Sequence, residues 1–169
     1  MKSDQVPSFS DIKEAQKVIA PFAHRTPVLS STSINKITGS ELLFKSENFQ
    51  KVGAFKFRGA CNAVFSLNSP GQPVIAFSSG NHAQAVALAA SLGGRKASII
   101  MPADAPQAKI DGTRAYAAEV VLYDRYSESR EEIGKKLASD LGGELIRPYD
   151  DERVIAGQGT AGLEIAAQA

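Results

Sequence analysis

Val74-Ile75-Ala76-Phe77-Ser78-Ser79-Gly80-Asn81-His82 is a short apolar run that breaks into a serine-glycine turn and then into a helical pattern reaching about Leu92. Four apolar residues in a row, without polar alternation, suit a strand covered on both faces. The unit recurs downstream. Ala97-Ser98-Ile99-Ile100-Met101 precedes a helical stretch from about Pro106 to Ala117, and Glu119-Val120-Val121-Leu122-Tyr123 precedes another from about Glu128 to Leu141. Glu144-Leu145-Ile146 makes a fourth apolar segment. Strands alternating with helices of this length predict an α/β fold, an open parallel sheet with helices on both faces.

Upstream the pattern differs. Ser8-Phe9-Ser10-Asp11 has capping-box spacing and opens a helix whose apolar face is Ile12, Ala15, Val18 and Ile19, with Pro21 ending it. Thr26 to Leu29 reads as extended, Glu41 to Lys45 as a strand entered from a turn at Gly39, and Phe55 to Leu67 as a helix. The 169 residues are 43% apolar and 22% charged, so they can bury a core. A formal charge of +1 gives no basis for a nucleic-acid or anionic-membrane partner. Cys61 is the single cysteine, which excludes an intrachain disulfide and suits a reducing compartment. His24 and His82 are too few for a zinc cluster. The first twenty residues mix charges into the apolar pattern, unlike a signal peptide, and no apolar run approaches a membrane span. These features predict a soluble cytoplasmic protein.

The turn at Ser78–His82 is the first candidate site. Amides in the first turn of a helix lack intrahelical partners and sit at the positive end of the dipole, so a carboxylate or phosphate is stabilised there. Ligands of open parallel sheets bind beyond the carboxyl ends of the strands, where this turn belongs. An ordinary connecting turn capped by Ser79 or Asn81 fits the same residues. Lys56 is the second candidate. It stands between Phe55 and Phe57, and apolar surroundings lower a lysine pKa toward the neutral amine that imine chemistry requires. A lysine extending its amine to water fits too. Gly157-Gln158-Gly159-Thr160-Ala161-Gly162 matches G-x-G-x-x-G but lacks a clear preceding strand and a following acidic residue. Its glycines are read as the start of a close-packed helix rather than as a nucleotide site.

Taken together, Ser46-Glu47-Asn48-Phe49-Gln50-Lys51-Val52-Gly53-Ala54-Phe55-Lys56-Phe57-Arg58-Gly59, Ser78-Ser79-Gly80-Asn81-His82, Pro148-Tyr149-Asp150-Asp151 and Ile155-Ala156-Gly157-Gln158-Gly159-Thr160 resemble the serine/threonine dehydratase and serine racemase family. These are fold-type-II, tryptophan-synthase-β-like enzymes that use pyridoxal 5'-phosphate. The resemblance implies that Lys56 holds the cofactor as a Schiff base and moves the substrate α-proton. It implies that Asn81 bonds the phenolic oxygen of the cofactor and that Phe55 packs by its ring. Ser78, Ser79, Gly80, Asn81 and His82 would cradle the substrate carboxylate, with Arg130 approaching it. Ser79 matches the serine that faces the lysine across the cofactor in racemase-like members, a second base for racemisation.

The implied reaction is an ammonia-lyase (dehydratase) reaction on serine, threonine or 3-hydroxyaspartate, giving a keto acid and ammonia. Serine racemase using Lys56 and Ser79 is the alternative, and a non-catalytic relative acting as an interaction subunit is a third. A small amino acid is the expected partner, and a homodimer the expected full-length assembly. Val52 stands where relatives often carry threonine, which weakens the case for a nucleotide effector. The family's phosphate-binding glycine loop and acidic divalent-cation site lie in its C-terminal half and have no counterpart here; no metal-ligating residue is assigned. Residues 1–52 would be the first part of a large domain, 53–147 the small α/β domain and 148–169 the return into the large one. A helical pattern from about Thr160 runs to Ala169 and ends there without a cap, so the chain is expected to be an N-terminal half that by itself binds cofactor weakly or not at all and is inactive.

Overall fold

A computed structural model describes residues 6–169; the first five residues of the 1–52 segment lie outside it. Helix α1 (Phe9–Ile19) starts as the sequence predicts. The Ser8 hydroxyl accepts from the Asp11 N–H, and the Asp11 carboxylate accepts from the Ser8 N–H at 2.7 Å. Strands β1 (Val28–Ser30) and β2 (Leu43–Lys45) pair antiparallel. Between them lies a helix that the sequence reading missed, α2 (Thr32–Thr38), capped by Ser31 and closed by Gly39 at φ +66°. Its isoleucines, Ile34 and Ile37, are exposed. Seven residues with no buried stripe give no periodicity to read.

The remaining elements are α3 (Lys56–Phe65), β3 (Val74–Phe77), α4 (Asn81–Leu92), β4 (Ala97–Pro102), α5 (Gln107–Arg114), β5 (Glu119–Tyr123), α6 (Arg130–Leu141), β6 (Glu144–Leu145) and α7 (Glu152–Gln168). The four strands β5-β4-β3-β6 form one sheet, in that order, with every pairing parallel. One face carries Val74, Ala76, Ile99 and Met101 against Phe57, Ala60, Cys61 and Val64 of α3 and against the alanine-rich face of α4. The other carries Ile75, Phe77, Ile100 and Tyr123 against Ile133, Leu137 and Ala138 of α6. Two covered faces explain why β3 is apolar throughout rather than alternating. Cys61 is fully buried, and burial pushes its thiol up to about 12, so it serves as a small core side chain.

The end of the chain differs from expectation. The last helix begins at Glu152, not near Thr160. Asp151 caps it, accepting from the Arg153 N–H at 2.9 Å. The glycines therefore lie inside a helix and do not start one, and the residues leading directly into them are helix rather than strand, which removes the nucleotide-loop reading. Glycine is unfavourable mid-helix, but packing demands it here. A Cβ on Gly157 would lie 2.5 Å from the Arg58 carbonyl oxygen and 2.8 Å from the Gly59 Cα, so α3 and α7 touch backbone to backbone. Gly162, in the same helix, has nothing within 4 Å. Gly157→Ala is expected to cost about 1–3 kcal/mol by overpacking. Gly162→Ala should gain roughly 0.5–1 kcal/mol from helix propensity. Denaturant midpoints of the two variants check the opposite signs.

Candidate active site

The strand order reverses beside β3. The chain runs β3, β4, β5 outward on one side and then returns to place β6 on the other. That reversal opens a crevice at the carboxyl ends of β3 and β6, the usual ligand position of open parallel sheets. The Ser78–His82 turn leaves β3 there, and Ile146 to Pro148 leaves β6. Lys56, the first residue of α3, reaches this point: its amine donates to the Pro148 carbonyl at 2.8 Å and lies 5.3 Å from the centre of the Phe55 ring. Burial lowers its pKa below the ordinary lysine value. Phe57 is fully buried in the core, while Phe55 is exposed beside the amine.

Helix α4 begins in the turn with no side-chain cap, so its first amides have no competing partner from a capping residue. Ser78 and Gly80 are half-buried and Ser79 and Asn81 exposed. The Gly80 N–H donates to the Ser78 hydroxyl at 3.1 Å, and a Cβ at Gly80 would meet nothing within 4 Å. His82 faces inward at 3% exposure; its Nε2 lies 3.1 Å from the Ile146 carbonyl, and its Nδ1 is buried with no partner. Since a carbonyl only accepts, Nε2 carries the proton. Arg130 lies over Phe77, the last residue of β3, with its guanidinium carbon 5.0 Å from the ring centre. Its Nε donates to Glu131 at 2.8 Å, a pairing that raises its pKa although partial burial opposes it.

The structure thus gathers the residues singled out from the sequence at one edge of the sheet. Lys56 and His82 hold the same β6 exit through its carbonyls, the turn lies between β3 and α4, and Arg130 sits behind the turn. A cavity of about 520 Å³ lies elsewhere, between α1, α3 and α7 beside Asp11, Glu14, Asn62 and Arg153. It contains none of these residues, and the chemistry, not the volume, marks the site. A primary amine with a lowered pKa, beside uncapped helix amides and an open approach over Gly80, fits an aldehyde-bearing anionic cofactor.

His82 also makes a testable prediction. Burial lowers its pKa from 6.5 to about 4; the Ile146 bond opposes this and the Lys56 charge adds to it. Between those values the unfolded chain binds a proton that the folded one refuses. Stability is therefore complete above pH 6.5 and is lost as the pH falls toward 4, by on the order of 3 kcal/mol. Urea unfolding from pH 7 to 4 should show that loss, and His82→Asn should flatten it.

One cluster escaped the sequence reading. Arg58, two residues beyond Lys56, is fully buried. Its Nε and Nη2 each donate to Glu47 at 2.8 Å, and Nη1 and Nη2 donate to Glu164 at 2.8 and 2.9 Å. Lys45 donates to the same Glu164 at 2.6 Å and to the Thr26 carbonyl at 2.7 Å. Burial alone would lower the Arg58 pKa, but the two carboxylates raise it strongly. Glu164 stays below its ordinary value: burial pushes it up, and Arg58 and Lys45 pull it down further. The available signal was a charge at position 58 within an otherwise apolar helix face.

Comparison with known proteins agrees with this geometry. Serine racemase of Schizosaccharomyces pombe is 49% identical over 162 residues, 95% of this chain and 50% of that protein. The L-threo-3-hydroxyaspartate ammonia-lyase of Saccharomyces cerevisiae is 51% identical over 162 residues, again 95% of this chain and 50% of the relative. The structure of maize serine racemase superposes with a TM-score of 0.94 at 45% identity, covering 98% of this chain and 51% of that one. The chain spans about half the length of the curated relatives it matches. Residues 19–169 match the family described as pyridoxal-phosphate dependent enzyme. On that match over most of its length, the chain belongs to the pyridoxal-phosphate dependent enzyme family.

Proposed function

We infer that this chain provides the lysine face of a pyridoxal-phosphate ammonia-lyase acting on β-hydroxy amino acids: serine, threonine or 3-hydroxyaspartate. The observation that carries the reading is the Lys56 amine, desolvated and held at the sheet crevice beside the turn that starts α4. Relatives at about half identity named for ammonia-lyase and racemase activity support it. When bound, pyridoxal phosphate supplies a carbonyl for amine attack and an electron sink for bonds broken at the substrate α-carbon. Lys56 holds it, with Phe55 flanking the ring and Asn81 within the turn that faces it. The unpaired amides of the α4 N-terminus orient the substrate carboxylate, assisted by the Ser78 and Ser79 hydroxyls and by Arg130. The pair Arg130 makes with Glu131 is exposed and costs little to break.

His82, neutral by burial, holds Ile146 and adds no competing positive charge to the crevice. Lys56, once its amine is free, takes the α-proton; the β-hydroxyl leaves as water, and water re-enters as ammonia is released, so substrate gives keto acid and ammonium. The single buried cysteine suits a reducing cytoplasm.

A second reading, serine racemase, is favoured by the exposed Ser79, placed in the turn where it can serve as a base opposite Lys56. Incubation of the full-length protein with pyridoxal phosphate and each hydroxy amino acid separates the two. Ammonia with a keto acid supports the lyase, the opposite enantiomer alone supports the racemase, and neither product at any substrate contradicts both.

A further inference from the structure

A buried arginine needs a reason beyond stability. Taking a guanidinium and two carboxylates out of water costs about as much as their attraction returns, and apolar side chains of similar volume would fill the space as well. What the ion cluster adds is direction. A planar guanidinium fork engages a carboxylate through two parallel bonds and so fixes both position and rotation. Arg58 does this twice. Glu47, in the turn Glu47–Phe49, takes one edge, and Glu164 on α7 takes the other. Nη2 also reaches the His24 carbonyl at 3.2 Å and Nη1 the Thr160 hydroxyl at 3.3 Å, so every N–H of the fork is used.

The start of α3 has no side-chain cap of its own. Phe55, its capping residue, makes no side-chain bond to the helix amides. Lys56 is the first residue of that turn and Arg58 the third. One residue further, the Gly59 backbone packs against α7, where a Cβ would come within 2.7 Å of the Val154 carbonyl. Just before the turn, Val52 holds φ +56°, a costly conformation for a β-branched residue. The entry to α3 is therefore held in place from outside rather than by its own cap.

We propose that Arg58 is the positioning residue for Lys56: by gripping Glu47 and Glu164 together it fixes the first turn of α3 and so the place of the Lys56 amine, a role that presupposes Lys56 as the reactive lysine. Two measurements read this without turnover. Competitive acetylation at graded pH, mapped by mass spectrometry, reports the titration and reactivity of each lysine. Borohydride trapping of pyridoxal phosphate in the full-length protein reports the rate and selectivity of imine formation at Lys56.

Arg58→Lys keeps the charge and loses the fork. The triple change Arg58→Met, Glu47→Met, Glu164→Met removes the guanidinium and both carboxylates together, while Lys45 keeps the Thr26 carbonyl and the Gln168 side chain as acceptors. In both, the Lys56 midpoint is expected to return to the ordinary lysine range and the trapping rate to fall by on the order of tenfold or more. The triple variant should still unfold cooperatively. Unchanged midpoint and trapping in either cooperatively folded variant would overturn the proposal. If the triple variant does not fold, Arg58→Lys decides alone, and Glu47→Gln, which lies outside both helices, must shift the same two values in the same direction. Wild-type protein that traps no cofactor selectively at Lys56 would instead refute the reading of Lys56 itself, a separate result.

Discussion

Lys56→Ala is expected to abolish the visible absorbance that the full-length protein gains with pyridoxal phosphate and to lower its ammonia release from β-hydroxy amino acids by at least about 10³-fold. Two functions are lost together. The side chain is the covalent tether, and it is the base placed to take the α-proton. General acid–base catalysis alone is worth roughly 10²–10⁴-fold. The fold should not suffer, because Lys56 is half-buried and its main protein partner is one carbonyl, that of Pro148. Added methylamine should recover part of the activity, since a small amine can occupy the freed space. Absorbance and turnover kept at wild-type levels in Lys56→Ala would remove Lys56 from the chemistry.

The second large effect is on stability. Arg58→Met is expected to cost about 3–5 kcal/mol. The loss comes from what remains: Glu47 and Glu164, side chains only 14% and 12% exposed, keep their charges without the guanidinium that neutralised them. Lys45 still pairs with Glu164, which limits the damage on that side. The surface pair Lys136–Asp140 is the natural control, with side chains 77% and 53% exposed. Lys136→Met should cost less than about 1 kcal/mol, as exposed pairs do. Equal midpoints for the two variants in chemical denaturation would mean that the Arg58 cluster carries no structural coupling.

The parallel sheet was legible because its signals are local. Strands β3, β4 and β5 are four to six mostly apolar residues, and each is followed by a helix long enough to show its period. Lys56 and the Ser78–His82 turn were legible as types of chemistry before they were legible as a site. Their meeting depends on β6 returning beside β3, and strand order is not written in any local pattern. Arg58 was harder still. Its partners at 24, 47, 160 and 164 lie on both sides of the sheet sequence, and no spacing links them. The start of α7 was misplaced because the glycines at 157 and 159 read as the start of the helix rather than as part of its interior. Local propensity disfavours them by roughly 1 kcal/mol each, but contact with α3 requires at least Gly157. Asp151, which caps the helix, went unread as a cap. Helix α2 had both a serine start and a glycine stop, yet it buries too little for periodicity to reveal it.

The most direct test of the account is reductive trapping. Full-length wild-type protein is mixed with pyridoxal phosphate, reduced with borohydride, digested and mapped by mass spectrometry. The account predicts a phosphopyridoxyl group on Lys56 in preference to every other lysine, including the fully exposed ones, and its disappearance in Lys56→Ala. Label spread over the surface lysines, or concentrated at a different one, would contradict it.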